Sequence, residues 1–213
     1  ILNQIFSIPD SDKLTNIVYM GEGEPMDNYD QVMQSLSVMT SAWGCSWSPK
    51  RITVSSVGIT PKLRHYIEEC ECHLAISLHN PFSIERKEIM PIEKAYKIED
   101  VIELLKQYDW TGQRRLTFEY IVFKNLNDDY RHIFSLVSNL SDIECRINLI
   151  RFHTIPNTIF QQADDKDMIK IRDILTSKGL IATIRASRGE DILAACGLLS
   201  TKKLLSLPTK TKK

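Results

Sequence analysis

Short runs of β-branched residues alternate with stretches whose apolar residues recur every three or four positions, and this rhythm continues along nearly the whole chain. No other feature limits the fold so strongly, because strand leading to helix leading to strand is how parallel sheets are built. Residues 17–20 read as a first strand, followed by a glycine-rich turn and a helix whose inner face carries Tyr29, Val32, Met33, Leu36 and Met39, with Asn28 as N-cap. Residues 51–57 form a second strand, and the helix after it, with Thr60 as its cap and Pro61 at the first helical position, presents Leu63, Tyr66, Ile67 and Cys70. A third strand at 74–78 is followed by a long loop and a stripe of Ile98, Val101, Ile102, Leu105 and Tyr108. The fourth, at 116–123, precedes a helix carrying Tyr130, Ile133, Phe134, Val137 and Leu140, with Asn127 and Asp128 offering capping oxygens. The fifth, at 145–152, precedes a helix over 165–178 that Gly179 stops, and residues 181–185 form a last strand.

No Pro/Gly/Ser-rich linker divides these units, so one α/β domain is expected over residues 1–200. A basic tail follows over 201–213, where Lys202, Lys203, Lys210, Lys212 and Lys213 either touch phosphate or merely solubilise the terminus. Five βα units are too few to close an eight-stranded barrel. The pattern therefore leaves an open doubly wound sheet or an incomplete, splayed barrel, and both place a site at the carboxyl ends of the strands. With 27 basic and 27 acidic residues the charges cancel, so any contact with nucleic acid has to come from local patches. The five cysteines show no paired framework, and no apolar run approaches the roughly 20 residues needed to span a bilayer, which points to a reducing cytoplasm and no membrane. The chain opens on Ile1 without the basic start and apolar core of a signal peptide, and is read as part of a longer polypeptide.

Polar residues gather where that architecture puts a site. Gly21-Glu22-Gly23-Glu24-Pro25 follows the first strand, Ser55 and Ser56 sit in the second, and Ser77-Leu78-His79-Asn80 ends the third. Glycine lets backbone approach a ligand and accept positive φ, and a fixed carboxylate such as Glu24 suits an ammonium group. With no phosphate-loop lysine, the turn fits an amino-acid moiety better than a phosphate, although such a turn is also a plain structural need between strand and helix. His79 is a candidate base, metal ligand or hydrogen-bonding wall; a lone histidine at a strand end is more often structural, and its neighbours favour function. Cys70, Cys72 and His73 form a Cys-x-Cys-His run that lacks a second ligand pair for zinc, so burial is the simpler role for both cysteines. Core packing is likewise the default for Cys45 and Cys145. Cys196, between Ala195 and Gly197 and close to Arg185, Arg188, Glu190 and Asp191, is placed to be exposed and reactive.

Taken in order, these segments resemble the RlmN family of radical S-adenosylmethionine (SAM) methyltransferases from about Ile17 to Leu199. Val18-Tyr19-Met20-Gly21-Glu22-Gly23-Glu24-Pro25 with Asn28-Tyr29 is similar to the family's Met-Gly-x-Gly-Glu-Pro turn. Arg51-Ile52-Thr53-Val54-Ser55 with Gly58, Leu74-Ala75-Ile76-Ser77-Leu78-His79, Phe118-Glu119-Tyr120 and Ile147-Asn148-Leu149-Ile150 follow in register. Arg188-Gly189-Glu190-Asp191-Ile192 and Ala194-Ala195-Cys196-Gly197 close the series. The family usually has Pro and Asn where this chain has Arg151 and His153, and Asp where it has Glu190 and Leu193.

The resemblance implies a partial (β/α)6 radical SAM barrel whose first βα unit lies upstream of Ile1. It implies that Gly23 and Glu24 hold the amino-acid end of SAM, that Ser55, Ser77, Leu78 and His79 line the rest of its site, and that His153 takes the place of an asparagine there. Cys196 corresponds to the methyl-carrying cysteine. The implied activity is methylation of adenine C2 in 23S rRNA and in tRNA; the related Cfr type, acting on C8, and a non-catalytic SAM- or RNA-binding module are the alternatives. Carbon 2 is electron-poor and cannot attack a methyl group as an amine would, so the family uses radical chemistry on a [4Fe-4S] cluster with SAM, and releases the product by forming a disulfide to a second cysteine. The cluster needs a Cys-x3-Cys-x2-Cys loop. The five cysteines here contain no such spacing, so these ligands and the partner cysteine are expected upstream and the chain alone is expected to be inactive. Implied partners are the two RNAs and a reductant protein such as flavodoxin or ferredoxin, for a monomeric cytoplasmic enzyme.

Overall fold

A computed structural model describes residues 1–153 and 158–186. Among them the helices are α1 (Leu2–Phe6), α2 (Tyr29–Thr40), α3 (Thr60–Glu69), α4 (Ser83–Ile89), α5 (Ile98–Leu105), α6 (Tyr130–Leu140) and α7 (Asp165–Ser177). The strands are β1 (Ile17–Tyr19), β2 (Ile52–Ser56), β3 (His73–Ser77), β4 (Leu116–Val122), β5 (Arg146–Arg151) and β6 (Ile181–Ile184). Every expected strand forms, and all pair in parallel in the order β1-β2-β3-β4-β5-β6. A doubly wound sheet would reverse that order at a switch point. Here each strand is added beside the last, and since such crossovers are right-handed, an order that never reverses lays the connecting helices on one face. Among the described residues β1 and β6 do not pair, so the barrel is partial and open.

Strand alternation sorts the side chains accordingly. Ile76, Phe118, Ile147 and Ala182 lie in one register row, all buried under the helices. One residue further on, Ser77, Glu119, Asn148 and Thr183 lie in the next row and so on the opposite face. A fully wound barrel fills its interior with branched apolar side chains. This inner face is polar instead, and it is the face a ligand would meet.

Some local expectations fail, each for a visible reason. Cys70 does not extend α3; it is the C-cap in an extended conformation, φ −128° and ψ 132°. Thr60 is the first helical residue, and Ile59 holds the N-cap position. Asn28 is the N-cap of α2, yet its side chain makes no capping bond. The cap of α6 is Asp129, which accepts from the His132 N–H, while Asp128 accepts from Asn125 N–H at 3.1 Å. That helix buries His132, Ile133, Leu136 and Leu140 and leaves Tyr130 and Phe134 about half exposed. A histidine can replace an apolar residue there because both its ring nitrogens meet carboxylates, Asp129 Oδ1 and Glu85 Oε2, each at 2.7 Å. The long loop after β3 contains α4, whose Arg86 is wholly buried and paired with Glu93. Gly179 behaves as expected, ending α7 with φ +93°. Gly58 has φ +102°, and a Cβ there would lie 2.6 Å from Val101 Cγ2, so neither conformation nor space admits a side chain.

Candidate active site

At the carboxyl ends of the strands a cleft of 180 Å³ is lined by Gly23, Glu24, Ser55, Ser77 and His79 together with Glu119, Ile121 and Arg185. Five of the expected ligand residues therefore meet around one opening. Leu78 differs: its side chain is fully buried in the core, and its contribution is a carbonyl that accepts from Arg86 Nε at 2.9 Å. His153 lies two residues beyond β5, half-buried, and is not among the residues lining the cleft. Cys196 and the tail at 201–213 lie outside the described residues.

Glu24 holds the turn after β1 against the turn after β2. Its Oε1 accepts from Met26 N–H at 3.1 Å and its Oε2 from Val57 N–H at 2.9 Å. Each carboxylate oxygen has a second lone pair, so both can still receive a ligand's ammonium. Gly23, at φ +87°, gives the left-handed step that carries the chain into this arrangement.

His79 takes a left-handed backbone conformation, φ +56°, that a β-carbon disfavours. Asn127 holds it there. The buried amide of Asn127 donates through Nδ2 to His79 O at 2.7 Å and to Ile121 O at 2.8 Å, and its Oδ1 accepts from Phe123 N–H at 2.7 Å. The imidazole Nδ1 accepts from Ile121 N–H at 3.1 Å. Burial, with a smaller push from the Arg86 guanidinium, lowers the ring's pKa to about 3, so it is neutral near pH 7. With Nδ1 an acceptor, the one ring proton sits on Nε2. His79 is thus a fixed donor, not a general base.

Glu119, opposite Ser77 in the register, is 4% exposed. Its Oε1 accepts from Asn148 Nδ2 at 2.9 Å, while Oε2 has no hydrogen-bond donor and lies 3.6 Å from Arg185 Nη1. Burial raises its pKa against the weaker pull of Asn148 and Arg185. A carboxyl harder to ionise in the folded than in the unfolded chain gives stability at low pH that is lost as pH rises from the ordinary carboxylate range through its own higher value. Glu119→Gln should therefore match the parent in acid and become progressively more stable than it on going to neutral pH. Unfolding free energies measured between about pH 4 and about pH 8 check this, and parallel curves would refute it.

Sequence reading noticed Glu119 only as part of a motif and took Asn127 for a capping residue. A carboxylate in the middle of the apolar run of β4 was the available signal for the first. Nothing local marked Asn127, because its partner His79 is 48 residues away. The four described cysteines, Cys45, Cys70, Cys72 and Cys145, are free thiols, and among the described residues no three His, Cys, Asp or Glu side chains stand together as a metal site.

No protein-family model matches the chain. Sequence comparison does find relatives. The chain is 57% identical over 203 residues to a probable dual-specificity RNA methyltransferase RlmN of Parabacteroides distasonis, covering 95% of this chain and 59% of that protein. It is 53% identical over 211 residues to the protein of the same description from Porphyromonas gingivalis, covering 99% and 62%. It spans, then, about three fifths of the length of such relatives. Among solved structures, a radical SAM methyltransferase from Sphaerobacter thermophilus superposes with TM-score 0.81 at 35% identity, over 87% of this chain and 55% of the other. A domain of a pyruvate-formate lyase-activating enzyme from Bacteroides vulgatus reaches 0.62 at 17% identity, over 81% of this chain and all of the other, a likeness of fold alone. The motifs, the non-reversing parallel sheet and these matches agree: over the residues it contains, this chain belongs to the RlmN family of radical SAM methyltransferases.

Proposed function

We propose that the cleft binds SAM and that the protein to which these residues belong methylates C2 of adenine in 23S rRNA and in tRNA, in the cytoplasm, with a small reductant protein as electron donor. The observation that carries this reading is the meeting of Gly23, Glu24, Ser55, Ser77 and His79 at one set of strand ends. Their chemistry fits the ligand. Glu24 takes the ammonium of the methionine part, Gly23 leaves room for its backbone-close approach, and the serine hydroxyls with His79 Nε2–H offer donors to the oxygens and ring nitrogens of the nucleoside part. SAM held against a [4Fe-4S] cluster supplies one-electron chemistry, and the thiolates for that cluster are not among these 213 residues. The remaining task of this chain falls to Cys196, which carries the methyl group on its sulfur before it passes to the base. A disulfide from Cys196 to a cysteine elsewhere in the whole protein would close the cycle.

The test uses the whole protein. After turnover, mass spectrometry should find a methyl group on the peptide containing Cys196, and Cys196→Ala should reduce product to background while SAM binding persists. Full activity of the alanine variant would overturn the role of Cys196. Methylation found at C8 of the product adenine would overturn the choice of C2.

A further inference from the structure

Residues 70–72 join the end of α3 to the start of β3, at the amino ends of the strands and so at the opposite edge of the sheet from the cleft. The sequence suggested burial for both cysteines. Cys72 is indeed buried, 1% exposed, but Cys70 is partly exposed at the helix C-cap. A bend at Cys72 turns its backbone N–H onto Cys70 Sγ at 3.4 Å. The surroundings fix this geometry from both sides. Tyr66 donates its hydroxyl to the carbonyls of Cys72 and His73 at 3.3 and 3.1 Å, and Arg114 Nη1 donates to Cys70 O at 2.8 Å.

We propose that Cys70 and Cys72 form a thiol–disulfide exchange site for low-molecular-weight disulfides, with Cys70 as the attacking sulfur and Cys72 as the resolving one. The Cys70 thiolate attacks one sulfur of the small disulfide, breaking its S–S bond and releasing one thiolate. The Cys72 thiol gives its proton to that thiolate and attacks Cys70 Sγ, releasing the second small thiolate, which takes up the proton first lost by Cys70. Two protein thiols are oxidised by two electrons, and one small disulfide is reduced to two thiols.

The choice of attacking sulfur follows from the hydrogen bonds. The Cys72 side chain and its backbone N–H both favour the Cys70 thiolate, so the first proton leaves the pair easily, near a pKa of about 7, and the second is held more tightly than in an isolated thiol. Cys145 has the reverse environment: it is buried and its thiol is pushed up to about 12. A disulfide across a single intervening residue closes a small ring, and departures from relaxed geometry make such a bond easy to reduce again, as a reversible site requires.

Glutathione disulfide is the probe. Incubating the unmutated chain with it near pH 7 and digesting should give a peptide spanning residues 70–72 that is lighter by two hydrogen atoms. Limited iodoacetamide should alkylate Cys70 at least about tenfold faster than Cys45 or Cys145. In Cys72→Ser the glutathione should remain attached to Cys70, and in Cys70→Ser neither product should form. Equal alkylation of Cys70 and Cys45, a glutathione adduct on Cys70 that persists in the unmutated chain, or a disulfide linking Cys70 to any cysteine other than Cys72 would overturn the proposal. The first of these readouts needs no variant to fold and is independent of methyl transfer.

Discussion

Arg86→Leu should lower the unfolding free energy by about 3–5 kcal/mol, the largest loss expected from one polar substitution in this molecule. The Arg86 and Glu93 side chains are 0% and 1% exposed and form an ion pair. Arg86 also donates from Nε to Leu78 O at 2.9 Å and from Nη2 to Ser77 O at 2.7 Å and Val57 O at 3.1 Å. Glu93 Oε1 accepts from Ser83 Oγ at 2.6 Å and from Ile98 N–H at 3.1 Å. Leucine would leave a buried carboxylate without its cation and would take one donor from each of three carbonyls, of which Leu78 O keeps its bond from Asn80 N–H at 2.7 Å. Replacing both members of the pair by apolar residues should recover part of the loss, because the unpaired charge disappears while the carbonyls still lack the Arg86 donors. Urea unfolding midpoints at constant slope measure both variants. A loss below about 1 kcal/mol for the single variant would show that water or rearrangement satisfies the site.

The second large effect concerns binding. In the whole protein Glu24→Gln should weaken SAM affinity about 10- to 150-fold, the range for hydrogen bonds to a charged group. Glutamine removes the charge proposed to face the ammonium. It also sets an NH2 group against either Met26 N–H or Val57 N–H, donor against donor, so one of the two bonds that fix this side chain is lost as well. Titration calorimetry with SAM distinguishes the outcomes: an unchanged dissociation constant would remove Glu24 from the binding site and leave it only its role in joining the two turns.

Much of the fold could be read from residue order, because strand and helix here have different periods and each period is a local property. The stripe at Ile98, Val101, Ile102 and Leu105 is buried as its spacing requires. That the polar residues at the strand ends would share one cleft was legible for a related reason. Glu24 and His79 stand in the turns that follow β1 and β3, and in parallel sheets the carboxyl ends of the strands lie together whatever the intervening helices do. What stayed hidden was long-range polar pairing. No local pattern marks Arg86 in the long loop after β3, and only the folded chain shows that it binds carbonyls of β3 and of the turn after β2. The stripe of α6 was misjudged because hydrophobicity alone ranks Tyr130 and Phe134 above His132, whereas two carboxylates satisfy the histidine and let it go inside.

The imidazole of His79 has a consequence for how the cleft behaves in different media. A wall whose proton neither leaves nor gains a companion between mildly acidic and mildly alkaline solution offers its guest the same handshake throughout. Any change in ligand affinity across that interval must then originate in the guest or in another side chain, and this histidine acts as an invariant reference point in the pocket.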